Sequence, residues 1–179
     1  MKRLSLAVAL AVTLTSLASA QRPERLWRDA DGHPLPFVSA DEVVDFLATA
    51  EIVHWKELST GITKPRKLTL ERDGVRAHAV FHSIDRHKRQ VKRMRNGQLR
   101  MHLSDSYKNQ AAAWELARLL GLDSVPPTAV RKFNGQWGSV QLWIQNAMTE
   151  QMRRDRELEP PDWTLWNQQR AERGIFDNL

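Results

Sequence analysis

An Asp73-Gly74 dipeptide between two runs of strand-forming residues constrains this chain more than any other feature. Both positions tolerate positive φ, which a two-residue hairpin turn demands, so Arg66–Arg72 and Val75–His82 are tied into one antiparallel pair. Leu68 and Leu70 then share a face. Upstream, Glu51 opens another strand in which Ile52, His54 and Lys56 alternate with Val53, Trp55 and Glu57, and both faces are mixed. A turn at Ser59-Thr60-Gly61 joins it on, giving a three-stranded antiparallel meander. Later, Val125-Pro126-Pro127 forces extended chain, and Thr128–Phe133, the turn Asn134-Gly135 and residues 137–144 form a second hairpin.

Helical patterns flank these strands. Ser39 and Glu42 fit a capping box, and Val43, Val44, Phe46 and Leu47 follow as an apolar face. A second helix is capped by Asp105 or Ser106, carries Ala112, Leu116, Leu119 and Leu120 as a stripe, and ends at Gly121. The run 85–100 holds Arg86, Lys88, Arg89, Lys92, Arg93, Arg95 and Arg100 with few apolar anchors, and reads as a solvated loop or ribbon. Residues 21–38 are polar and proline-broken, a flexible or strapped leader. A charged stretch with helical tendency follows 144, then a Pro160-Pro161 break and a helix begun by Asp162 that carries Trp163, Trp166, Ile175 and Phe176.

The amino terminus reads as an export signal. Lys2 and Arg3 precede an apolar run over 4–17, and Ala18-Ser19-Ala20 offers a cleavage site after Ala20. That run is short for a membrane span, with a retained anchor as the alternative reading. Without residues 1–20 the balance is 25 basic against 21 acidic side chains, a net of +4. The mature chain is expected to be secreted or periplasmic, with no membrane segment. The absence of cysteine excludes thiol chemistry and cysteine metal sites. His78 and His82 share a strand face but stand roughly 13 Å apart, too far to share a metal. The basic run lacks interleaved aromatics, so nucleic acid is not an expected partner; polyanion binding through Arg86 to Arg100 is a lesser alternative. Of seven tryptophans, Trp114, Trp143 and Trp166 fall at positions that predict core packing. No hydrolase arrangement stands out.

Several stretches carry a family resemblance: Gly61-Ile-Thr-Lys-Pro, Ala79-Val-Phe-His, the helix from Asp105 through Leu116, Leu119-Leu-Gly-Leu-Asp-Ser-Val-Pro-Pro-Thr, and Gly138-Ser-Val-Gln-Leu-Trp. Over roughly residues 50–179 the chain resembles bacterial kinase-like proteins similar to phosphatidylinositol 3/4-kinases and to secretory-pathway kinases of the Golgi casein kinase type. The resemblance implies an α+β fold: a kinase-like N-lobe with an antiparallel sheet of about five strands and one main helix, then a hinge and the first C-lobe helix. The organisation becomes a signal peptide at 1–20, a leader with a short helix at 21–50, the lobe at 51–144, and a linker with the first helix of an incomplete C-lobe at 145–179. It further implies a nucleotide cleft, with Gly61 and Lys64 over the phosphates, Val80 beside the adenine, and Gln141, Leu142, Trp143 and Ile144 as the hinge strand. ATP with Mg or Mn is the cofactor implied.

The chain departs from that pattern at the two positions that matter most. His82 stands where the resemblance implies a lysine, and Gln110 where it implies the glutamate partner. A neutral histidine offsets phosphate charge poorly. Losing both charges leaves two neutral groups able to share a hydrogen bond, whereas losing one would strand a buried ion. A one-residue shift that brings Lys88 or another loop cation into the site is the alternative. The sequence also stops at Leu179, before the loop that would bring the catalytic aspartate and metal ligands, so no catalytic residue is assigned in this chain. The expected function is therefore an exported N-lobe fragment derived from an ATP-dependent phosphotransferase, not catalytic by itself and not binding the nucleotide strongly. The alternative is a non-catalytic nucleotide- or partner-binding module. Apolar surface around Trp143, Trp166, Ile175 and Phe176 predicts a missing C-lobe or self-association as the partner.

Overall fold

Ser39 starts the first helix, α1 (Ala40–Thr49), in the reciprocal arrangement its neighbours imply. Its hydroxyl accepts from the Glu42 amide at 3.2 Å, and the Glu42 carboxylate accepts from the Val38 amide at 2.8 Å. The first bond satisfies an amide freed at the helix start, and the second ties down the residue that precedes the cap. The computed structural model describes residues 27–59, 64–88, 92–93, 97, 99–100 and 103–176. The signal segment with Ala20, and Gly61 in the first turn, lie outside the described residues.

After α1 come β1 (Glu51–Glu57), β2 (Arg66–Arg72) and β3 (Val75–His82). The basic run is then a ribbon: β4 (Asp85–Lys88), β5 (Lys92–Arg93), β6 (Leu99–Arg100) and β7 (Leu103–Ser106), with β4 paired to β7 and β5 to β6. The chain continues through α2 (Tyr107–Leu119), β8 (Thr128–Phe133), β9 (Gln136–Leu142), α3 (Glu150–Asp155) and α4 (Trp163–Phe176). The fold is α+β, built on one five-stranded antiparallel sheet in the order β1-β2-β3-β9-β8. Its two tight turns adopt positive φ at both central residues, 52° and 77° at Asp73-Gly74 and 48° and 79° at Asn134-Gly135. Such turns match the twist of the strands they join.

Alternation sorts the sheet into two faces. The inner face presents Leu68, Leu70, Ala77, Ala79, Phe81, Ala129, Phe133, Val140 and Leu142, and these close one core around Val43, Phe46 and Leu47 of α1. The sheet curls enough that Trp55 on one edge strand meets Phe133 on the other, edge to face at 6.0 Å. Arg131 reaches from β8 to donate to the Leu47 and Ala50 carbonyls at 3.1 and 2.8 Å, satisfying acceptors that the end of α1 leaves open. The leader is strapped over residues 27–38. Leu35 enters the core, Ala30 donates its amide to the Arg76 carbonyl at 2.8 Å, and Phe37 tilts against Phe46 at 5.3 Å.

The sheet wraps α1, which supplies three wholly buried side chains to fill its apolar inner face. The second helix corrects a sequence expectation. The buried side of α2 is Trp114 and Ala117, not the stripe through Ala112 and Leu119; Leu119 is 79% exposed. Ser106 supplies the cap, accepting from the Lys108 amide at 3.2 Å, and the helix turns Gln110, Trp114 and Ala117 toward the sheet at i, i+4, i+7 spacing. The second hairpin strand also ends earlier than expected, at Leu142. Asp162 caps α4 through Thr164 and Leu165, while Ile175 remains 68% exposed and Trp166 is half-buried beneath Arg153. Among the described residues, no helix is long and apolar enough to cross a membrane.

Gly138 is buried where the sheet is tightest. A β-carbon there would overlap the His82 carbonyl oxygen and the Phe81 ring, and the carbonyl belongs to the paired strand and has little room to move. Gly138→Ala is expected to destabilise the fold by about 1–3 kcal/mol, read as a lower urea midpoint with an unchanged slope.

Candidate functional site: the outer face of the sheet

Ser139 and Val140 point to opposite sides of β9, so α2, which bonds to Ser139, lies on the face opposite α1. There Val80 faces Gln141 and His82 faces Ser139 in register. Gln110 accepts a hydrogen bond from the buried Ser139 hydroxyl at 2.5 Å, and Gln141 donates to Thr128 at 3.1 Å. The expected bond between His82 and Gln110 is therefore replaced: among the described residues, none joins them. Ser139 is the wholly buried group, so leaving its hydroxyl unbonded would be the costlier choice. His82 is half-buried; burial pushes its pKa below the usual histidine value, against a weaker upward pull from Asp105. It is neutral at pH 7.

The other expected site residues divide. Lys64 sits exposed in a left-handed conformation (φ 49°), its ammonium 3.7 Å from the Glu57 carboxylate. Leu142 is buried in the inner core and Ile144 packs against it, so neither shares the face of Val80 and His82. Trp143 donates its amide to the His78 carbonyl at 3.0 Å and holds its ring under the Lys67 ammonium, 4.5 Å away. The outer face thus unites Val80, His82, Gln110, Gln141 and Trp143.

The same face continues into a pocket that sequence reasoning missed. In β1, register shifts by one residue between Ile52, opposite Leu70, and His54, opposite Thr69. This bulge breaks the alternation: Ile52 packs toward the core, whereas His54 and Lys56 turn outward. It also explains why the strand reads as mixed on both faces. His54, Lys56, Lys67, Thr69 and His78 line a cavity of about 160 Å³. His78 Nδ1 is 3.3 Å from the Thr69 hydroxyl. Burial first, then Lys56, lowers the Lys67 pKa; burial first, then Lys67, lowers that of His78, with Leu68 and Asp31 pulling upward. The Asp73-Gly74 turn already dictates that Lys67, Thr69 and His78 oppose Leu68 and Leu70, so half the pocket was recoverable from the turn; His54 and Lys56 needed the bulge.

Asp29, Asp31 and His33 also bring ligand-type atoms within 4.8 Å of one another. Their closeness has a structural origin, since one Asp29 oxygen accepts from the Asp31 and His33 amides at 2.9 and 2.8 Å.

Two outcomes follow. Gln110→Leu leaves a buried hydroxyl without its acceptor and is expected to cost about 1–3 kcal/mol, whereas adding Ser139→Ala to it recovers part of that loss; denaturation of the four chains of the cycle measures the coupling. The lowered pKa values of His78 and His82 mean that, just below pH 6.5, the unfolded chain binds protons that the folded chain resists. Their contribution to stability is complete above about pH 6.5 and is lost as pH falls below it. Urea midpoints between pH 7.5 and 5.5 should fall, and less steeply in the His78→Gln/His82→Gln chain.

Compared with known proteins, the chain matches no family model, no curated protein and no solved structure.

Proposed function

We propose that this chain is a kinase-like amino-terminal lobe that is exported and does not transfer phosphate by itself. The observation that carries the reading is the strand order β1-β2-β3-β9-β8, with α2 placed between β3 and β8 in sequence and reaching the outer face beside His82. That arrangement suits a nucleotide cleft in which Val80, Gln141 and Trp143 meet the base. The pattern of residues 1–20 supports export. Inactivity is supported by the two positions that would hold the phosphates. His82 is neutral at pH 7, and Gln110 is engaged with Ser139. Among the described residues, these two positions supply no ionic pair to hold the α- and β-phosphates in line.

A second reading, a recognition module without chemistry, is favoured by the open cationic pocket on the same face. Trp163, Leu165 and Ile175 on α4 offer apolar surface for a second lobe or a second copy. Thermal-shift titration with ATP, with and without Mg or Mn, separates the readings, since a ligand specific for the native state raises its melting temperature. The expected result is a small shift at millimolar ATP and no labelled phosphate moved to any acceptor. Transfer of phosphate from ATP by the purified chain would sink the proposal of an inactive lobe.

A further inference from the structure

Lys56 and Lys67 stand directly opposite each other in the β1–β2 register. Like charges at such a pair repel and destabilise the sheet. The arrangement is aggravated here. Lys67 is partly withdrawn from water, and among the described residues neither lysine has a carboxylate partner. Several cations elsewhere on this molecule are paired: Arg72 with Asp45, Arg76 with Glu71, Lys108 with Asp85, Arg118 with Glu115. Lys67 is also held in place, and Lys56 is turned toward it. Trp143 fixes the Lys67 ammonium over its ring, and the bulge at Ile52/His54 turns His54 and Lys56 toward the same hollow.

The wall is completed by donors: the Thr69 hydroxyl and the two imidazoles. Among the described residues, no acidic side chain lines the cavity; Asp31 acts on His78 through its charge from longer range. A volume of about 160 Å³ is several times the roughly 30 Å³ that one water occupies, enough for a tetrahedral oxyanion carrying a small substituent. We propose that the pocket formed by His54, Lys56, Lys67, Thr69 and His78 binds a phosphate-class oxyanion, either free or as the phosphomonoester of a small molecule. The anion relieves the repulsion between the lysines and accepts hydrogen bonds from His54 and from whichever member of the bonded Thr69–His78 pair keeps its proton free. The site is separate from the His82 position, which lies four residues, roughly 13 Å, farther along β3. It rests on the pocket's own geometry and not on the kinase-like reading.

Titration of the purified chain with inorganic phosphate and with glycerol phosphate, at fixed ionic strength and followed by calorimetry, tests it. Saturable binding of either is the expected result, and the tighter of the two identifies the source. Lys56→Gln/Lys67→Gln should weaken binding by about tenfold or more, while its melting temperature in phosphate-free buffer equals or exceeds that of the unaltered chain. Lys56→Gln alone, at an exposed position, should weaken binding by about fivefold, and Lys132→Gln, at the far edge of the sheet, should leave it within about twofold. No saturable binding at millimolar phosphate, or equal affinity in the double variant, overturns the proposal. Phosphate binding without any response to ATP would retain this pocket and retire the nucleotide cleft; the reverse result would do the opposite.

Discussion

Seating Val43, Phe46 and Leu47 of α1 against the inner face of the curled sheet is the contact on which the remaining structure depends. One row of apolar side chains from four strands is removed from water by a single ten-residue helix. Arg131 then ties the carboxy end of that helix to the edge strand, and the leader closes the start through Leu35 and Phe37. With the inner face filled, the curl follows: Trp55 and Phe133 can meet across the sheet because the strands bend around α1.

The same packing determines what is left for function. Side chains that alternate with the core residues must emerge on the outer face, and α2 covers only the part near Ser139. Val80, His82 and Gln141 lie beside that covered part. His54, Lys56, Lys67, Thr69 and His78 occupy the part away from it. Polar groups tolerated there have water or each other as partners. The neutral His82 and the Ser139–Gln110 bond give one half of the face a low charge, while two unpaired lysines give the other half a positive one. Chemistry that needs a fixed ion pair is disfavoured on the first half, and anion recognition is favoured on the second.

Much of the fold was legible because its signals are local. The Ser39 cap, the Asp73-Gly74 and Asn134-Gly135 turns and the Val125-Pro126-Pro127 break act through φ/ψ preference or a hydrogen bond a few residues away. The rotation of α2 was misread for the opposite reason. Its leucines outnumber Trp114 and Ala117 as apolar candidates, yet the helix buries Trp114 and Ala117 on the side from which Gln110 bonds to Ser139. The candidate site was legible only where the turn sets the register. Lys67 and His78 follow from it, whereas His54 and Lys56 depend on a bulge that no residue type announces.

By itself, the amino-acid order determined the strands β2, β3 and β8, the start of both main helices, and the division of the hairpin residues between two faces, since each is a consequence of short-range sterics and alternation. Tertiary structure alone decided which helix the sheet encloses, how the edge strand slips at Ile52, and that this slip sets Lys56 directly beside Lys67. Those outcomes depend on how much apolar area each competing arrangement removes from water, a quantity that exists only once distant strands have met.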